Sequence, residues 1–237
     1  MSKFNICKSF HAAVILLLIG GCATPSGDSR IDNIPMYGQP EIFRPEPWKK
    51  LDEEFIAKAV AGIGSREKAS EAWWAEAETF MREGNLDFAM RRYNQSWLLN
   101  PANYQPHWGF GRIMLRKGKC EDALRHFSKA KELATDRYQK AALLSDFGVA
   151  YGYCAKETPT EQSEARLKGF ELANRQFMES TEMDPSYANA WFRWSQLLLE
   201  EDKPAEAWAK LKRAKEAGAK IPDNFENRLK ARMPEPK

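Results

Sequence analysis

The chain has 237 residues, 43% hydrophobic and 29% charged, and its 36 Lys+Arg nearly balance 33 Asp+Glu to leave a formal net charge of +3. That apolar fraction excludes a disordered chain, and the balance of charge leaves no cationic footprint with which to neutralise nucleic-acid phosphates. Three His and four Cys offer little for a metal site, so no metal or cofactor is expected, and the eight Trp are assigned to cores or recognition surfaces.

Residues 1–11 carry Lys3 and Lys8 without an acid, and Ala12–Ile19 is an apolar run that ends at Gly20, Gly21 and Cys22. This is the layout of a secretory leader over residues 1–21. The run is shorter than the roughly 20 residues that a membrane-spanning helix needs, so removal is expected rather than permanent insertion. Ile19-Gly20-Gly21-Cys22 resembles a bacterial lipobox, which implies a lipid on the Cys22 thiol and Cys22 as the mature N-terminus. Acyl chains contribute about 0.8 kcal/mol per buried methylene, so several of them anchor a protein firmly. Ala23 stands where an Asp would resemble an inner-membrane retention signal, so the resemblance implies the outer membrane, facing the periplasm, or in a Gram-positive cell the outer face of the single membrane. Loss of Lys3 and Lys8 leaves 34 Lys+Arg against 33 Asp+Glu, so most of the basic excess belongs to the leader.

Residues 22–47 contain five Pro and no sustained apolar period, which reads as a lipidated N-terminus followed by an extended tether. Within it, Ile34–Pro40 is more apolar than a spacer requires and reads equally as a docking segment or as solvated linker. From Trp48 the pattern becomes helical: Trp48, Leu51, Phe55, Ala59 and Val60 recur at three and four, and Gly62 and Gly64 close the stripe. A leading helix over 48–64 is expected.

Beyond it the chain repeats itself. Ala77 to Gly111, Ala89 to Ala123, Tyr93 to Phe127, Ala173 to Ala207 and Phe177 to Leu211 are each separated by 34 residues, a period typical of stacked helical hairpins. The first unit (about 70–103) carries Trp73, Ala77, Phe80, Ala89, Tyr93, Ser96 and Pro101, with Gly84-Asn85 at the turn. The second (104–137) carries His107, Gly111, Met114, Gly118, Ala123, Phe127 and Ala130, with Thr135 in place of the closing Pro. The third (141–187) carries Leu144, Phe147, Gly148 and Tyr151, resumes at Ala173, Phe177, Ser180 and Pro185, and holds 13 extra residues near 155–167. The fourth (188–221) carries Trp191, Ser195, Leu198, Ala207, Leu211 and Ala214, and residues 222–232 read as a capping helix.

These positions resemble the tetratricopeptide repeat, which implies an all-α solenoid of about four helical hairpins with a leading and a capping helix. Small residues are required where helix backbones approach, and rings fill the holes between, so Trp73, Tyr93, Phe127, Tyr151, Phe177 and Trp191 are assigned to the core. The resemblance further implies that the first helix of each pair lines a concave groove. Its register selects Trp74, Glu78 and Arg82, then Trp108, Arg112 and Arg116, then Tyr153, then Phe192 and Gln196. Rings beside Arg suit an extended peptide or a partner helix, while packing of Trp74, Trp108 and Phe192 against neighbouring helices is the equally weighted alternative. Ser145 and Phe192 stand where a clamp for C-terminal carboxylates would need polar or basic groups, which argues against that mode.

No catalytic constellation is present. His107 and His126 lie at repeat positions without a nucleophile at recognisable spacing, and the packing Gly of the repeat accounts for Gly109-Phe110-Gly111. With Cys22 lipidated, Cys120 and Cys154 remain. An oxidising compartment invites their pairing, while helix axes about 10 Å apart argue against it. The polar stretch 156–164 is expected to be exposed. These readings converge on a lipid-anchored, non-enzymatic scaffold that binds an envelope protein or peptide; the alternative is a periplasmic enzyme or small-ligand carrier with a pocket at the groove or insertion.

Overall fold

In the computed structural model, which describes residues 30–236, four of the ten α-helices begin at a residue whose side chain accepts from a free amide of the first turn. Helix α1 (Glu46–Ile63) opens with Pro47 in its first turn and stops at Gly64, whose φ of 106° an L side chain rarely adopts. Ser65 caps α2 (Arg66–Arg82) by accepting from the Lys68 amide at 3.2 Å, and Asn85 caps α3 (Leu86–Leu99) by accepting from Phe88 at 3.3 Å. Helices α4 (Tyr104–Arg116), α5 (Cys120–Leu133), α6 (Arg137–Glu157), α7 (Ser163–Met183), α8 (Ala188–Glu200), α9 (Pro204–Glu216) and α10 (Asp223–Arg232) complete the order, without a strand among the described residues. None of these helices is long and apolar enough to cross a membrane.

The 34-residue period is the period of the packing. Helices pair as α2/α3, α4/α5, α6/α7 and α8/α9, the hairpin solenoid expected. Ala89, Tyr93, Ala123, Phe127, Ala173, Phe177, Ala207 and Leu211 are all buried at equivalent places on the second helices. The small residues mark close approach: a Cβ on Gly109 would lie 2.3 Å from the Tyr93 ring, and one on Gly111 would lie 2.8 Å from Phe127. Gly109-Phe110-Gly111 is therefore a packing motif, as its repeat position implies. Ser70 and Ser96, both fully buried, donate to each other's backbone carbonyls at 2.8 and 2.7 Å, which closes α2 onto α3 without an unpaired hydroxyl. At the far end α10 lays Phe225 and Leu229 over Trp208 and Leu211, so the last hairpin does not present its apolar face to water.

Two expectations are corrected here. Arg30–Pro45 is not an extended tether: it forms two tight 3-10 turns, Ile31–Asn33 and Pro35–Gly38, folded onto α3 as a strap. The fully buried Asn94 holds it, donating to the Asp32 and Ile34 carbonyls at 2.9 Å each and accepting from the Tyr37 amide at 3.3 Å. Apolar side chains in a nominal spacer gain by burial, and Met36 packs on the first core cluster. The leader, Cys22 and Ala23 lie outside the described residues.

The 13-residue insertion is exposed over 156–164 as expected, apart from half-buried Thr158, and it lengthens both helices of the third pair to 21 residues, with only Thr158–Gln162 connecting them. Gly169 permits the extension by letting α7 approach Ala155 of α6, where a Cβ would lie 2.8 Å from the Ala155 Cβ. Finally, Trp191 is half-buried and belongs to no core cluster, whereas Trp73 and Tyr151, also half-buried, pack against the core as assigned. Trp191 lies beneath Lys210 and Arg213, at 5.6 and 5.5 Å from the ring centre, and its indole N–H donates to the Pro185 carbonyl at 2.9 Å, as suits an amphipathic ring.

Candidate partner-binding groove

First helices touch along the stack, α2 on α4, α4 on α6 and α6 on α8, which places them on the inner side of the curve. Of the residues assigned to this face, Glu78 and Arg112 meet: the guanidinium donates three hydrogen bonds of 3.1 Å to the carboxylate. The Tyr93 hydroxyl also donates to Glu78, at 2.5 Å, and burial holds that phenol far above its usual titration range. Trp108 lies beneath Arg112, 5.8 Å from ring centre to guanidinium, and its indole N–H donates to Asp146 of α6 at 2.8 Å. Arg193 of α8 then donates to the other oxygen of Asp146 at 2.5 Å. A continuous polar ladder thus runs from α2 to α8, with each charge facing its opposite.

Asp146 and Arg193 were missed in the sequence. Each lies two residues beyond the lead position of its repeat, Leu144 and Trp191, whereas the groove register covers positions one, five and eight or nine beyond. The recurrence of opposite charges at that offset was a signal that could have found them.

The assigned aromatics divide between packing and exposure. Trp74, Trp108 and Phe192 are half-buried and belong to core clusters, Phe192 standing edge-on to Phe225 at 5.2 Å. Packing therefore takes most of their surface. Ser145, at the same register, is fully buried and accepts from Arg193 at 3.3 Å. Arg82, Arg116, Tyr153 and Gln196 are exposed.

Of these, Tyr153 and Gln196 are brought together at a cavity. They line a cleft of about 210 Å³ between α6 and α8. Val149, Gly152, Phe170 and Leu197 give it an apolar floor, and the Lys156–Glu200 ion pair, at 3.1 Å, stands on its edge. Such a volume admits a side chain rather than a whole small molecule, for which sites run to about 300–1,000 Å³.

Cys120 and Cys154 are joined by a disulfide, with their Cα atoms 5.7 Å apart. The spacing of helix axes is not the governing distance, because the bond links the first residue of α5 to the last turn of α6, where one helix end meets its neighbour. Among the described residues no group of three or more His, Cys, Asp or Glu could hold a metal ion.

No family model matches the chain, and no curated protein matches it. Among solved structures it is similar to a chain of the APC/C hetero-tetramer Cut9–Hcn1, at 16% identity and a TM-score of 0.58, over 79% of this chain and 34% of that one. This chain thus spans about a third of that protein's length. A second similar structure, described as MamA, has 15% identity and a TM-score of 0.48, over 74% of this chain and 96% of that one. A third, described as YrrB, a TPR protein with an unusual peptide-binding site, has 20% identity and a TM-score of 0.30, over 74% and 96% of the two chains. The first of these shares the fold, and the fold is a tetratricopeptide-type solenoid.

Proposed function

We propose that the protein is a non-enzymatic scaffold that binds a partner protein or peptide along its concave face while anchored to a bacterial envelope membrane by lipid on Cys22. The observation that carries the binding half is the apolar cleft beside Tyr153 and Gln196, which takes one anchoring side chain of an extended partner. Its surroundings suit that role: the ladder from Glu78 to Arg193 holds the inner helices rigid with its charges already paired, so binding need not order them first. Exposed Arg82 and Arg116 supply polar contacts along the same face.

The leader and the lipobox resemblance support the anchored half, and Ala23 favours the periplasmic face of the outer membrane. A disulfide between Cys120 and Cys154 fits an oxidising compartment.

Two measurements separate the halves. Cys22→Ser should move the protein from the membrane to the soluble periplasmic fraction; unchanged membrane attachment contradicts the anchor. Tyr153→Glu with Gln196→Arg should abolish co-purification of the partner recovered from solubilised envelopes with the intact protein. Undiminished recovery contradicts the groove. Trp74 and Trp108 are poorer probes, because truncating them removes core packing as well.

A further inference from the structure

The outer side of the solenoid carries a second, larger cavity of about 770 Å³, between the strap and helices α3, α4 and α5. Its size falls within the range of small-molecule sites. Met36 of the strap, Trp97 of α3 and Met114 of α4 give it apolar walls. His107 and His126 lie in its lining, each 5% exposed, with their Nδ1 atoms 3.2 Å apart.

Burial holds both rings neutral near pH 7, so one Nδ1–H donates to the other Nδ1. The same bond fixes the outer nitrogens: one Nε2 carries a proton to donate and the other offers a lone pair. Neither forms another hydrogen bond among the described residues. Asn33, in the same lining and 8% exposed, has a buried Oδ1 with no partner. The Asn33 carbonyl oxygen is therefore left unpaired in a buried wall, where an unmade hydrogen bond is costly.

The charge on the rim is unbalanced. Arg125 is engaged by Asp122 at 2.7 Å and by Glu41 at 3.9 Å, and Lys129 by Glu132 at 2.8 Å. Lys117 and Lys119, on the turn between α4 and α5, line the cavity without a carboxylate in ion-pair reach among the described residues. Two uncompensated ammonium groups beside apolar walls call for an anion with an apolar body.

We infer that this cavity binds a small amphipathic anion, an organic phosphate, sulfonate or carboxylate, with its charge at Lys117 and Lys119 and its apolar part between Met36, Trp97 and Met114. The inference stands apart from the concave groove and would survive its failure. The anion is a freely diffusing molecule, not a lipid headgroup in a bilayer.

His11, His107 and His126 are the chain's three histidines, so the imidazole spectrum of the intact protein is a direct readout. The protein, carried in zwitterionic phosphatidylcholine nanodiscs, is titrated with 1-naphthyl phosphate, with neutral 1-naphthol, and with inorganic phosphate. Naphthyl phosphate should shift the His107 and His126 Cε1–H signals saturably, and Lys117→Gln/Lys119→Gln should weaken that binding at least tenfold while helicity by circular dichroism is unchanged. Both lysines are exposed, so the variant tests charge and not folding. The inference is overturned by any of four results: no shift, an equal response to naphthol, no effect of the double variant, or shifts that arise only when phosphatidylglycerol is placed in the discs.

Discussion

Arg112 of α4 and Glu78 of α2 form a three-bond ion pair across the inner seam, with side chains only 23% and 18% exposed. Two charges that the repeat register sends to an open groove are thus spent on holding adjacent hairpins together. Removing one partner leaves the other partly buried and unpaired, a loss intermediate between an exposed pair and a fully buried one. Glu78→Ala should destabilise the fold by about 2 kcal/mol in urea denaturation, and a double-mutant cycle with Arg112→Ala should give a coupling of about 1 kcal/mol or more. A coupling near zero would mean that the pair contributes nothing.

The disulfide closes a loop whose ends are 34 residues apart in sequence. Loop-closure entropy for that length corresponds to about 4 kcal/mol. Cys120→Ala should therefore lower the denaturation midpoint clearly, and reduction of the native protein should lower it to a similar value. Peptide mapping without reductant should recover Cys120 and Cys154 in one linked species; two free thiols would refute the bond.

Acid should weaken the fold before its carboxylates titrate. Burial, followed by Lys129, pushes His107 from 6.5 down to about 4 against an opposing pull from Glu132. Burial, followed by His107 and Arg125, pushes His126 from 6.5 down to about 3. Both folded values lie below the unfolded one, so the unfolded chain binds more protons throughout that window. Their contribution to stability is complete above pH 6.5 and is lost as pH falls toward the folded values, by at most about 1.4 kcal/mol per pH unit for each ring. Urea midpoints should fall between pH 7 and pH 5, and His126→Gln should flatten that slope; a flat wild-type profile would contradict the buried pair.

Asn94 is the fastening of the strap, since its three hydrogen bonds all go to residues 32–37. Asn94→Ala should cost about 2–3 kcal/mol of local stability and expose residues 31–41 to hydrogen exchange and proteolysis while α4–α10 remain protected. Uniform loss of protection along the chain would show that the strap has no stability of its own to lose.

What was legible in the sequence was what recurs. Ala89 with Tyr93, Ala123 with Phe127 and Ala173 with Phe177 occupy equivalent buried places because one hairpin geometry imposes one set of close approaches and holes. The strap was not legible in the same way, since its docking rests on Asn94 and Arg91, about 60 residues away, and on burial of Met36, and no local period reports such contacts. Polar composition near 155–167 reports exposure but not conformation, and Glu164-Ala165-Arg166-Leu167-Lys168 is a good helix-forming run that belongs to α7. In the groove, register placed Glu78 and Arg112 correctly but not their partnership, and it passed over Asp146 and Arg193 because their value lies in each other.

The groove is tested most directly by where a partner touches the intact, membrane-anchored protein. A photo-crosslinking residue is placed in turn at Tyr153 and Gln196 on the inner helices, and at Phe88 and Met178, which are 44% exposed on the outer helices α3 and α7. One discrete adduct, shared by the two inner positions and absent from the two outer ones, is the expected result. Adducts that form equally from Phe88 and Met178, or from neither inner position, would contradict binding along the concave face.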